Sequence, residues 1–158
     1  MGSIQLMVLL FRLAITLPQN RRDRMQLTER MGKIIIIEEP EQNLHPKLQS
    51  KLADLFYELN KNYGYRFLIE THSEYIIRRS QVIVANANYD NENDLKKHNP
   101  FMVYYFDENN DRKPYYPMEY ELSGAFKDQF GEGFFDEASK WDMTIIRKEF
   151  ELKKRNKK

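Results

Sequence analysis

The chain has 158 residues, enough for one domain whose core buries roughly 68–70% of the unfolded surface. Hydrophobic residues at 41% against 31% charged exclude a disordered chain, and 25 Lys and Arg against 24 Asp and Glu single out no charged partner. The lack of cysteine excludes disulfides and cysteine-ligated zinc, which agrees with a cytoplasmic protein.

In chain order, Ser3 to Leu17 reads as a buried helix, apolar on every face except at Gln5 and Arg12, and Pro18 ends it. Its apolar run, Leu6 to Leu17, is twelve residues long and contains Arg12, whereas a membrane span needs about 20. It also lacks the basic start and small-residue cleavage site of a signal peptide. Gly2 is no myristoylation site, because Leu6 stands where Ser or Thr is wanted. The expectation is a soluble chain with no membrane partner.

Gln19 to Arg30 is polar and reads as a loop. Lys33-Ile34-Ile35-Ile36-Ile37 then gives four consecutive β-branched residues, the pattern of a central strand in a sheet covered on both faces. Pro46 suits the first position of a helix whose Leu48, Leu52, Leu55, Phe56 and Leu59 share one face. Gly64 punctuates a turn, and Arg66 to Glu70 reads as a second strand. A helix over about residues 73–87 follows, with Ile76, Ile77, Ile83 and Val84 facing inward. Strand, helix, strand, helix is the grammar of a parallel α/β sheet.

Asn86 to Asn99 reads as a polar loop, and Phe101 to Phe106 as a strand. After a turn over 107–113, Tyr115 to Glu121 reads as an edge strand, demoted by Pro114 and Pro117. An aromatic loop spans Phe126 to Phe135, and a helix covers about residues 136–153. Its end is basic: Arg147, Lys148, Lys153, Lys154, Arg155, Lys157 and Lys158 crowd the last twelve residues. That tail is either a solvated helix end or a contact for nucleic acid. The division expected is residues 1–99 and a C-terminal hairpin-and-helix extension over 100–158.

The chemistry concentrates in Ile34-Ile35-Ile36-Ile37-Glu38-Glu39-Pro40-Glu41-Gln42-Asn43-Leu44-His45-Pro46. Two acidic residues stand at the C-terminal end of a buried strand, where open α/β sheets bind ligands. One carboxylate there can hold Mg2+ and the other can orient or deprotonate an attacking water. The plainer reading is a solvated strand end before a proline turn. His72, 33 residues after Glu39, ends the next strand in Phe67-Leu68-Ile69-Glu70-Thr71-His72-Ser73. Parallel pairing would bring it to the edge that carries Glu39. There it could bond a γ-phosphate oxygen or the attacking water, or serve only as a structural cap.

These segments together resemble ABC-type ATPase heads, in the branch that includes the OLD family and predicted bacterial ATPases related to SMC and RecF proteins. In that branch the Walker B strand ends in acidic-Glu-Pro-Glu, the D-loop reads Leu-His-Pro and the switch strand ends in Thr-His-Ser. All three stand here, as Glu38-Glu39-Pro40-Glu41, Leu44-His45-Pro46 and Thr71-His72-Ser73. The resemblance implies an α/β fold, a partial P-loop NTPase head with a parallel sheet and flanking helices. It implies Glu38 as the magnesium residue, Glu39 as the catalytic carboxylate, His72 as the switch histidine, and His45 in a D-loop facing a second protomer across ATP. Gly2-Ser3-Ile4-Gln5 is similar to the signature at the start of the preceding helix, so Gly2, Ser3 and Gln5 would contact nucleotide. A helix N-terminus suits a phosphate, although a simple helix start explains the same residues. Gly133-Phe134-Phe135-Asp136-Glu137 resembles an extension in one group of these ATPases. Read from the residues, Phe134, Phe135 and Trp141 are packing groups rather than a base-stacking platform.

No Gly-x-x-x-x-Gly-Lys-[Ser/Thr] loop occurs among the six glycines, so nothing cradles a β-phosphate. A truncated or split gene, a cloned fragment, or a degenerate subunit would each explain this. The expectation is a chain that hydrolyses ATP only when an N-terminal half supplies that loop. Two other readings stay open: a non-catalytic partner- or DNA-binding module, and a metal-dependent hydrolase using His45, His72, Glu38, Glu39 and Glu41.

Overall fold

The computed structural model describes residues 7, 8, 10, 34–107, 114–131, 134 and 137–155. Its elements are β1 (Ile34–Glu38), α1 (Pro46–Tyr63), β2 (Arg66–Glu70), α2 (Glu74–Ala85), α3 (Glu92–His98), β3 (Val103–Phe106), β4 (Tyr115–Met118) and α4 (Glu137–Arg155). Of the helix expected over Ser3–Leu17, Met7, Val8 and Leu10 are helical. Gly2, Ser3 and Gln5 lie outside the described residues, as do Gly133, Phe135 and Asp136. No described helix is long and apolar enough to cross a membrane. The chain divides into two compact units, Met1–Met102 with Tyr120–Ala125, and Val103–Glu119 with Phe126–Lys158.

In the first unit β1 and β2 pair in parallel, in a register running from Ile34↔Arg66 to Glu38↔Glu70. Helix α1 makes the crossover. His45 is its N-cap, with Nδ1 accepting from the Lys47 N–H, and Pro46 takes the first turn, where a missing N–H leaves no bond unmade. Gly64 ends it in the left-handed conformation (φ 68°), its N–H returned to Asn60 O at 2.9 Å. Leu52, Ala53, Phe56 and Leu59 are buried along one stripe. Leu48, expected on that stripe, is 43% exposed. With Leu44 and Ile76 they form the core beneath Ile35, Ile37, Phe67 and Ile69. Full burial of a side chain such as Leu52 contributes roughly 1.5–3 kcal/mol.

The other face of the sheet departs from expectation. Ile34, Ile36 and Leu68 are 63%, 69% and 61% exposed, so among the described residues the strand expected to be covered on both faces is covered on one. Both α1 and the first turn of α2 contribute to the same core, through Leu52, Phe56 and Ile76, which leaves the alternate residues without described cover. Helix α2 starts at the Ser73 N-cap, whose Oγ accepts from the Ile76 N–H at 3.2 Å. Ile76 and Val84 are buried as expected, and Ile77 and Ile83 are half-buried.

The stretch expected to be loop over 86–99 contains α3. Its sequence carries the signals of a short helix: Asn91 accepts from the N–H groups of Asn93 and Asp94, acids fill the first turn, and Lys96, Lys97 and His98 fill the last. Leu95 is its one buried anchor among the described residues.

In the second unit β3 and β4 form an antiparallel pair, with Pro117 opposite Tyr104 in the second strand. That strand ends at Met118, three residues before the expected end. Tyr105 meets the rings of Tyr116, Phe130 and Phe134 at 5.6, 5.2 and 6.2 Å, so Phe134 packs as expected. Trp141 does not follow the expectation: on α4 it is 63% exposed.

Candidate functional site

The site forms where β1 and β2 end. The ladder continues one step past the strands, with the Glu39 N–H donating to Glu70 O at 2.9 Å. Strict alternation would then send the Glu39 side chain to the helix-covered face. Instead Glu39 adopts φ 41°, a left-handed conformation that costs an L-residue roughly 1–2 kcal/mol. The chain turns at once through Pro40 to Asn43, itself at φ 60°. Hydrogen bonds from Gln42 N to Glu39 O (3.0 Å) and Leu44 N to Glu41 O (2.9 Å) close that turn.

His72 follows β2 by two residues, and its Nε2 stands 3.1 Å from Glu70 Oε1 and 3.7 Å from Glu39 Oε1. The sequence therefore places Glu39 and His72 at one sheet edge, and the structure sets their side chains side by side. Glu70, not singled out from sequence, sits between them. Its other oxygen lies 3.3 Å from the Glu39 N–H. The sequence offered only a strand-end Glu two residues before the histidine; its place opposite Glu38 comes with the register.

Glu41 is the other residue that gains weight. It is 7% exposed, and its Oε1 accepts the His72 N–H at 2.8 Å, while Oε2 is buried with no partner among the described residues. One carboxylate thus ties the turn after β1 to the turn after β2. A second tie runs from Ser73 Oγ to Gln49 Oε1 at 2.6 Å, and Gln49 Nε2 donates to Leu44 O at 2.9 Å.

Glu38 is exposed at the end of β1, on the open face beside Glu70, apart from the close group of donors. That group is Glu39, Glu70 and His72, which put one ligand atom each within 4.8 Å of one another. Two carboxylate oxygens and an imidazole suit zinc or manganese better than magnesium. The set expected for a metal hydrolase is not assembled: His45, Glu38 and Glu41 stand outside this group. His45 is exposed and occupied at Nδ1 as the α1 cap. As hard oxygen donors, Glu38 and its neighbour Glu70 match what Mg2+ takes.

Residues 1–77 match the family described as AAA ATPase domain. No curated protein and no solved structure matches the chain. The match covers 77 of the 158 residues and includes β1, α1, β2 and the start of α2. The segment that builds this sheet edge is therefore similar to an AAA-type ATPase domain.

Proposed function

We propose that the chain supplies the hydrolytic half of an ABC-type ATPase head, with β1 as the Walker B strand and Thr71-His72-Ser73 as the switch. One observation carries this reading: parallel pairing of β1 with β2 brings the Glu39 carboxylate and the His72 imidazole to the same strand ends. The family match over the same residues supports it.

In this reading Glu39 orients the attacking water and accepts its proton, a task for a carboxylate held at a strand end with one oxygen in reach of the site. Gln42 Nε2 donates to Glu39 Oε2 at 3.2 Å, which fixes the carboxylate plane and leaves Oε1 toward His72. His72 offers a ring N–H to a phosphate oxygen. Glu38 is the residue that would hold Mg2+, which when bound neutralises phosphate charge. His45 belongs to the D-loop, and Gly2, Ser3 and Gln5 to the signature that reaches a second protomer's nucleotide.

These 158 residues contain no phosphate-binding loop, so the reading requires a second chain or segment that carries one. The test has two stages. Calorimetry on the purified chain should find ATP–Mg binding weak or undetectable, because carboxylates repel the nucleotide's charge. Supplying an N-terminal half with a phosphate loop, by fusion or co-expression, should then give ATP-dependent dimerisation and slow hydrolysis. Micromolar ATP affinity in the isolated chain, or no hydrolysis by the completed head, would overturn the proposal.

A further inference from the structure

We propose that Glu70 is a positioning residue, which holds the His72 imidazole and the Glu39 backbone in one arrangement through its two carboxylate oxygens. Its significance for turnover rests on the ATPase reading; the hold itself does not.

The distances separate the roles of the two carboxylates near the ring. Glu70 Oε1 at 3.1 Å from His72 Nε2 is within hydrogen-bond reach, whereas Glu39 Oε1 at 3.7 Å is beyond it. Glu70 therefore holds the ring, and Glu39 keeps that oxygen outside the bond. Glu70 Oε2 lies 3.3 Å from the Glu39 N–H, and Glu70 O accepts the same N–H at 2.9 Å. Backbone and side chain of Glu70 thus converge on the one residue whose φ of 41° needs outside support.

The His72 side chain is 77% exposed, and packing does little to choose its rotamer. The ion-pair contact with the Glu70 carboxylate at 3.1 Å makes that choice instead. It also chooses the proton position: an acceptor-only carboxylate at Nε2 requires the N–H there. The ring N–H is thus held on Glu70 beside Glu39, and a phosphate oxygen that takes it has to displace that carboxylate. A neighbouring Thr71 or Ser73 hydroxyl would not fix the proton position, since hydroxyls donate and accept.

The experiment is nitrogen-detected NMR of the whole 158-residue chain at one neutral pH, without nucleotide, for the parent, Glu70→Ala and Glu70→Gln. In Glu70→Ala the His72 ring nitrogens and the Glu39 amide should both shift, while amides of Leu52 and Phe56 in the core should not. Glu70→Gln keeps the reach but only one acceptor oxygen, and should restore the parental signals of His72 or of Glu39 but not of both. Unmoved His72 and Glu39 signals in Glu70→Ala would overturn the inference. So would shifts spread through β1, α1 and β2, the mark of a general folding role.

In the head completed by a phosphate-loop half, Glu70→Ala should lower turnover about 10- to 100-fold with KM for ATP unchanged, since misplacing a reacting group by about 1 Å costs that order. Unchanged turnover there would overturn the positioning role even if the signals had moved. If the parental head itself fails to hydrolyse ATP, the ATPase reading falls, and the NMR comparison still decides whether Glu70 holds His72.

Discussion

The Glu41 carboxylate accepts the His72 backbone N–H at 2.8 Å from a position 93% buried, across 31 residues of chain. This contact joins the two turns on which the candidate base and the histidine sit. Glu41→Ala should lower stability by about 1–3 kcal/mol, because it leaves the His72 N–H unpaired and opens a small cavity. Glu41→Gln keeps the accepting oxygen and removes a buried charge whose second oxygen has no described partner. It should stay within about 1 kcal/mol of the parent. Urea unfolding of the three proteins measures both. Parental stability in Glu41→Ala would mean that the contact holds nothing.

Gly124 makes a different kind of demand on the sequence. Its φ is 80°, and a Cβ added there would lie 2.3 Å from Gln81 O and 2.9 Å from the Ala85 Cβ. The clash is with helix backbone, which has no rotamer to yield. Gly124→Ala should therefore cost about 1–3 kcal/mol, the left-handed penalty and the displacement of α2 adding together. Thermal unfolding should show a lowered midpoint, and an unchanged one would show that the turn over 121–125 has a second conformation.

Tyr120 and Ser80 form a buried hydrogen bond of 2.7 Å, and Ser80 Oγ also donates to Ile77 O at 2.6 Å, which makes Tyr120 the donor. Burial pushes the Tyr120 hydroxyl up to about 12, with the Ser80 bond pulling weakly the other way. A group raised in the folded state contributes stability that is complete below its unfolded value, about 10, and is lost as pH rises toward the folded one. Tyr120→Phe should cost about 0.5–1.5 kcal/mol at neutral pH. Between pH of about 10 and 12 the gap between parent and variant should narrow, because only the parent loses this contribution. Denaturant unfolding across that range checks the sign; a widening gap would contradict it.

The strands and helices around the site were readable from sequence because their signals are local. Four isoleucines in a row, Pro46 at a helix start and Leu52, Phe56 and Leu59 at helical spacing each need no tertiary context. The parallel order followed from the connection by one helix. What escaped depended on geometry across the sheet or on weak signals. Helix α3 is seven residues long with a single buried anchor, so periodicity had nothing to register. The exposed face of Ile34, Ile36 and Leu68 could not be foreseen, because a β-branched run looks the same whether one face or two are covered. Glu70 and Glu41 emerged only when register and the left-handed turn at Glu39 were fixed, since neither belongs to a spacing rule.

Glu39 and Glu38 are adjacent in sequence yet occupy different surroundings, and their substitution should separate two kinds of loss. Glu38 ends β1 on the open face opposite Glu70, whereas Glu39 is turned by its φ of 41° to within 3.7 Å of the His72 ring. In a completed head Glu39→Gln should retain ATP binding and ATP-dependent dimerisation, because the amide keeps size and hydrogen bonding. Turnover should fall at least about 100-fold, since an amide cannot accept the water's proton. Glu38→Gln should instead raise the Mg2+ concentration needed for half-maximal turnover as well as lowering the rate, because a metal-holding carboxylate loses its charge. His72→Ala should reduce turnover with little effect on binding. The comparison is a titration of turnover against ATP and against Mg2+ for all four proteins. Parental hydrolysis by Glu39→Gln would remove Glu39 from the chemistry, and Glu70, the other carboxylate beside His72, would then be the residue to replace.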